Sequence, residues 1–290
     1  MSITGRGTRA EYLALIQQFR LIDDTFFNVC FDNNVEGMQL LLRIFLDRDD
    51  LMVKRVVTQK SADNLYGRGV RFDVLAEDSA GRLYDCEIQR ANEGAIARRA
   101  RYNSSMMDAR ELPKGAQFSD LPETWVIFIT ENDIYQKNCP LYHVERMILE
   151  TQTTFNDGAH ILYVNGENRT DTRLGRLMQD FFCTRPENMN YKELAKRVDY
   201  FKAKTEGVNA MCELMENFME KFGEEKLAEG RAEGRAEGRA EGRLEGHLEG
   251  RLEAARTTAT ALIRLGKLTL AQIAEATQLP LNEVERLANT

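Results

Sequence analysis

No stretch of this 290-residue chain approaches the run of about 20 apolar residues that a membrane span needs, and MSITGRGTRAEY at its start holds no apolar signal core. A cytoplasmic protein with no membrane partner is therefore expected. None of the five cysteines forms a CxxC pair, which argues against a structural zinc and favours reduced, mostly buried thiols. The histidines are equally sparse: His143 and His160 stand alone and read as structural, and His247 replaces an arginine within a repeat. No GxxxxGK[ST] is present, so nothing suggests a nucleotide-driven enzyme. A basic excess is also missing. With 39 Lys and Arg against 46 Asp and Glu, the net charge is -7, and contact with nucleic acid requires a local basic surface.

What is present is enough for one sizeable core and an appendage. Residues 1–20 read as a leader and the start of a first helix that continues through EYLALIQQFRLIDDTFFNVCF. Asn33 or Asn34 can cap a second helix, VEGMQLLLRIFLD, in which Glu36 lies near the edge of the buried face. LMVKRVVTQK is rich in β-branched residues and predicts a strand, and WVIFIT and HILYVNG predict two more. Between those two, NCPLYHVERMILETQ reads as a Pro-started turn into a helix. Helices and strands thus alternate into an α/β core, placed at residues 21–222 together with a helical extension.

From residue 223 to 256 the chain is dominated by Glu-Gly, which recurs six times at a spacing of four. On a helix, like residues four apart drift by only about 40°, so Glu, Gly and Arg each form a separate stripe. Favourable i,i+4 ion pairs are then absent within one chain, and each glycine costs about 1 kcal/mol relative to alanine. Such a helix gains most from a second copy, whose backbone the glycines let approach. The expectation is a homo-oligomer formed through the repeat, with a flexible charged linker as the alternative. Residues 257–290 outline a helical hairpin or helix-turn-helix in which Thr269 caps LAQIAEAT. Its second helix offers Asn282, Glu283, Glu285 and Arg286, a set too acidic for a groove reader, so a structural cap is favoured.

The chemistry concentrates in VRFDVLAEDSAGRLYDCEIQR. Phe72, Val74 and Ala76 alternate with Arg71, Asp73 and Leu75, and Tyr84, Cys86 and Ile88 alternate with Asp85, Glu87 and Gln89. With DSAG as the turn, this is a hairpin with one oily face and one face of carboxylates. Mg²⁺ takes one or two carboxylates and keeps several waters, so Asp73 and Glu87 can hold it, with the Ile88 backbone carbonyl as a third ligand. Gln89 can orient water or phosphate. Arg98, Arg101 and Tyr102 follow at helical spacing and can meet phosphate oxygens on one face. The same alternation also fits a half-buried hairpin with a wet face, and periodicity alone does not choose.

Asp73 followed by Glu87-Ile88-Gln89 resembles the PD-(D/E)XK nuclease signature in the variant where Gln replaces Lys. More narrowly, the chain resembles the Rpn recombination-promoting nucleases, also called PD-(D/E)XK nuclease family transposases. The resemblance rests on DDTFF, LLLRIFLDRDDLMVKRVVTQ, VRFDVLAEDSAGRLYDCEIQRA, RARYNSSMMDA, LPETWVIFITENDI, YHVERMILET, DGAHILYVNGE and the Glu-Gly tail. It implies a restriction-endonuclease-like mixed sheet flanked by helices, followed by a helical C-terminal tail. It implies DNA as partner, and cleavage dependent on Mg²⁺, Mn²⁺ or Ca²⁺, with Asp73, Glu87 and Gln89 in the active site. Glu36 would match the additional acidic residue of many superfamily members. The alternative is a protein of the same fold with little turnover that tethers DNA or assembles.

Overall fold

Thr8 starts the first helix by accepting the Glu11 N–H, and the Glu11 carboxylate returns a bond to the Thr8 N–H at 2.6 Å. The computed structural model describes residues 8–62 and 68–289, with backbone alone at 92–93, 218–242, 244–245 and 248–249. The leader at residues 1–7 and the side-chain stripes of most of the repeat lie outside the described residues.

In chain order the elements are α1 (Arg9–Gln18), α2 (Asp24–Phe31), α3 (Val35–Leu46), β1 (Val53–Ala62), β2 (Val70–Asp78), β3 (Leu83–Gln89) and α4 (Ala97–Glu111). They continue as β4 (Thr124–Thr130), β5 (Leu141–Val144), β6 (Met147–Ile148), β7 (Thr153–Thr154), β8 (Ala159–Asn165), α5 (Arg173–Phe182) and α6 (Lys192–Ala203). The last three are α7 (Thr205–Leu265), α8 (Leu270–Thr277) and α9 (Leu281–Ala288).

Two element assignments change. The single first helix is two, because Asp23 accepts the Arg20 N–H at 2.8 Å and the Ile22 N–H goes to the Phe181 carbonyl, taking the backbone out of the helix. The segment 138–152 is strand and hairpin rather than turn and helix. β5 pairs antiparallel with β8 and β6 with β7, so a ladder partner distant in sequence outweighs local periodicity. Asn34 does cap α3, accepting the Gly37 N–H at 3.0 Å.

One sheet, ordered β1-β2-β3-β4-β8-β5, organises the unit Arg6–Glu216. β1, β2 and β3 are antiparallel, whereas β3-β4 and β4-β8 are parallel, which makes β3 the strand that joins the two halves. Both faces are covered. Val74, Ala76, Tyr84, Cys86, Ile127, Ile129 and Val164 pack with the apolar residues of α1, α2, α3, α5 and α6. Leu75, Leu83, Val126, Phe128 and Tyr163 pack with Ala100, Met106 and Met107 of α4. Phe26, Phe27 and Phe31 are fully buried, each contributing about 2 kcal/mol by removal from water.

The carboxylate face of the β2-β3 hairpin is therefore a second core and not a wet surface. Phe72 also departs from the predicted alternation, since it packs in the α4 cluster while Val74 packs in the other. Gln59, at φ 53°, falls between the Thr58–Val74 and Lys60–Phe72 pairs, and this left-handed residue turns the strand pair opposite Asp73.

On the far side of the first cluster lies a buried cation. The Lys202 ammonium donates to the carbonyls of Gln17, Phe19 and Thr184 at 3.0, 2.6 and 2.6 Å and sits over the Phe26 ring. Burial pulls its pKa down to about 8.

The second unit contains Asn217–Thr290. The Glu-Gly repeat is helical throughout, within α7. Thr269 caps α8 through a reciprocal pair with Gln272, and Gln278 closes it in the left-handed region. Ala259, Ile273, Leu279 and Val284 form its core, while Glu283 pairs with Arg256 at 2.6 Å and so faces α7. Among the described residues no helix is long and apolar enough to cross a membrane.

Candidate active site at the end of the β2-β3 ladder

The ladder between β2 and β3 runs from Glu77–Leu83 to Val74–Cys86 and stops there. Past that point carboxylates take over the backbone donors. The Ile88 N–H donates to Asp73 Oδ2 at 3.2 Å, and the Asp73 N–H donates to Glu87 Oε1 at 3.4 Å. Asp73 and Glu87 thereby close the splayed strands while their remaining oxygens stay in one place. Glu87 is fully buried, and Gln89 Nε2 lies 3.5 Å from its Oε2. The Gln89 amide rests on Gly94, where a Cβ would come within 1.7 Å of Gln89 Oε1.

Helix α4 supplies the groups opposite. Arg99 pairs with Glu87 Oε2, donates to the Gly94 carbonyl at 3.1 Å and lies over the Phe128 ring at 5.9 Å. One turn on, Asn103 Nδ2 donates to Asp85 Oδ2 at 3.0 Å. The other Asp85 oxygen is buried with no protein partner. Asp24, at the start of α2, stands at the mouth of the group, its carboxylate held by Asn28 Nδ2 at 2.8 Å. It borders a cleft also lined by Arg20, Asp23 and Arg90.

The electrostatics are those of acids with too few counter-charges. Asp73 is pushed up to about 8, first by burial and then by Glu87 and Asp24. Asp85 is raised well above the carboxylate range by burial and by Glu87, and Glu87 is raised by burial against the opposing pull of Arg99. Asp24 is raised by desolvation, opposed by Arg71 and Arg99.

Of the residues expected from sequence, Asp73, Glu87, Ile88 and Gln89 come together. Glu36 does not join them. It is exposed in the first turn of α3 and lines a surface groove with Glu193, Lys196 and Arg197, because the buried stripe of α3, from Met38 to Phe45, takes the opposite face. The acid outside the hairpin whose charge acts on Asp73 is Asp24, which the DDTFF stretch contains. Arg98 and Arg101 are exposed and make no contact with the carboxylates in the structure; Arg99, between them, is turned inward. Helical spacing found the arginines but picked the solvent face. The Tyr102 hydroxyl bonds the Arg68 carbonyl, tying α4 to the β1-β2 hairpin.

Among the described residues no three His, Cys, Asp or Glu side chains form a metal cage. The donor set nonetheless fits a hard divalent cation. Two oxygen-only ligands on adjoining strands, raised in pKa by burial, suit Mg²⁺, which takes one or two carboxylates and retains water.

A mixed sheet flanked by helices, with acids on adjoining strands where the central ladder opens, is the restriction-endonuclease-like α/β fold. The chain belongs to the PD-(D/E)XK nuclease family transposases, a match that covers residues 32–227. Comparison with curated proteins and with solved structures gave no match.

Proposed function

We propose that the protein is a metal-dependent DNA endonuclease that hydrolyses phosphodiester bonds. The observation that carries this reading is the gathering of Asp24, Asp73, Asp85 and Glu87 near one ladder end, where Arg99 pairs with Glu87 and Arg71 acts on Asp24. A fold gains no stability from buried like charges, so the arrangement is suited to a divalent cation. Mg²⁺ or Mn²⁺, when bound, would lower the pKa of water and draw charge from the phosphate.

Asp73 and Glu87 would hold such a cation, with the Ile88 carbonyl and Asp24 as further oxygen donors nearby, and their backbone bonds fix both carboxylates before substrate arrives. Gln89, seated on Gly94, presents its amide to water or a phosphate oxygen. The exposed Arg98 and Arg101 receive phosphates of the duplex, and Tyr102 holds the hairpin beside them. Water adds across a P–O bond, leaving one phosphate monoester end and one hydroxyl end. The Glu-Gly helix joins copies of the chain so that two sites act on one duplex, and the protein works in the cytoplasm.

Plasmid nicking by wild type and Asp73→Ala across Mg²⁺, Mn²⁺, Ca²⁺ and chelator tests this. Nicking is expected with Mg²⁺ or Mn²⁺ only, and to vanish in the variant while its circular dichroism is unchanged. Equal cleavage by Asp73→Ala sinks the assignment, and DNA retention without cleavage under every metal makes the protein a tether of the same fold.

A further inference from the structure

Gln89 cannot carry charge, yet the atom it approaches has a cation. Gln89 Nε2 and Arg99 Nη2 converge on the same oxygen, Glu87 Oε2. They reach it from different elements, Gln89 from β3 and Arg99 from α4. The guanidinium is held on one side by the Gly94 carbonyl and underneath by the Phe128 ring, so its plane is fixed by two groups besides the ion pair. The guanidinium is not closed off from solvent: the Arg99 side chain is 37% exposed, whereas the Glu87 side chain it pairs with is 0% exposed. A guanidinium serving only as counter-ion to a buried carboxylate has no need of a solvent-facing edge. One that also meets an incoming anion does, and its fork of donors matches two phosphate oxygens.

We propose that Arg99 is a catalytic residue, the cation that binds a non-bridging oxygen of the scissile phosphate in place of the charge absent at position 89. This rests on the endonuclease reading above. In the free protein Arg99 occupies Glu87. Were a metal ion to take that carboxylate, the Gly94 and Phe128 contacts would still hold the guanidinium in place, with its exposed part toward the phosphate. Arg99 moves no proton. It stabilises the charge that builds on the equatorial oxygens as water attacks phosphorus. Gln89 remains beside it as a neutral orienting group, which explains how a chain without the usual lysine keeps one positive charge at the position where it is needed.

The test compares wild type, Arg99→Lys, Arg99→Met and Gln89→Lys/Arg99→Met. Three quantities are measured: plasmid nicking with Mg²⁺, affinity for a short duplex in Ca²⁺, and melting temperature. Arg99→Met is expected to lower the nicking rate about 100-fold or more, with duplex affinity changed only a few-fold and the melting transition still cooperative. Arg99→Lys keeps charge without the fork and falls between. Gln89→Lys in the Arg99→Met background is expected to recover at least a tenfold share of the lost rate. Full nicking by Arg99→Met overturns the proposal, as does a folded double variant that regains melting temperature but no rate, which would make Arg99 a structural counter-ion. Loss of duplex affinity matching the loss of rate also overturns it, assigning Arg99 to ground-state binding. Absence of nicking by wild type removes the endonuclease reading itself, and this inference with it.

Discussion

Asp73 and Ile88 are joined by a bond that a β-ladder does not contain: the Ile88 N–H donates to the Asp73 carboxylate at 3.2 Å, just past Val74–Cys86, the last backbone pair of β2 and β3. A side chain has taken a donor that would otherwise need a strand partner. The acid is thereby fixed in position by the sheet that it interrupts.

That placement makes stability depend on pH in a definite direction. The Asp73 pKa rises to about 8 in the folded protein, from an unfolded value near 3.9. Between those values the folded state binds more protons than the unfolded one, so stability falls as pH rises from about 4 to about 8. In chelator the melting temperature should drop across this window by the equivalent of a few kcal/mol. Asp73→Asn should flatten the drop, and Mg²⁺ should oppose it near neutral pH. A melting temperature that rises through the window in chelator would contradict the assignment.

Asp24 and Glu36 separate the structure from the motif. Asp24→Asn is expected to lower nicking at least tenfold, because its carboxylate adds to the field at Asp73. Glu36→Ala, on a different surface, should nick at the wild-type rate. Rates measured side by side decide the point, and a defect confined to Glu36→Ala would return the metal site to α3.

Much of this was legible in the sequence. Asn34 announced its helix, DSAG its turn, and the alternation of Asp85, Glu87 and Gln89 their shared face. Three features were not legible, each for a physical reason. Arg98, Arg99 and Arg101 share a helix, and only the packing of Ala100, Met106 and Met107 against the sheet decides which arginine turns inward. The left-handed Gln59 breaks a period of two that composition cannot reveal. β5 is a strand because β8 offers it an edge, a partner that no local window contains.

Lys202 offers a test of the far side of the core. Lys202→Met fills the same space but leaves the Gln17, Phe19 and Thr184 carbonyls without their donor, at a cost of about 2 to 4 kcal/mol. Denaturant unfolding should show the loss as a lower midpoint. The nicking rate well below the midpoint should be unchanged, since Lys202 serves the packing of α1 and α6 and not the carboxylates.

Nearly the whole candidate site is local in the chain. Asp73, Glu87, Gln89, Arg99 and Asn103 lie within residues 73–103, whereas the parallel partners of β3 and β4 begin only at Thr124 and Ala159. Short loops close at less entropic cost than long ones, so the hairpin and α4 are expected to form before the parallel half of the sheet docks. Substitutions such as Leu75→Ala should then slow folding, and those in β8 such as Leu162→Ala should mainly speed unfolding, a contrast readable in the two arms of a chevron. On that order folding would begin by gathering a cluster of mutually raised acids, so acidity, by discharging it, should quicken the first step.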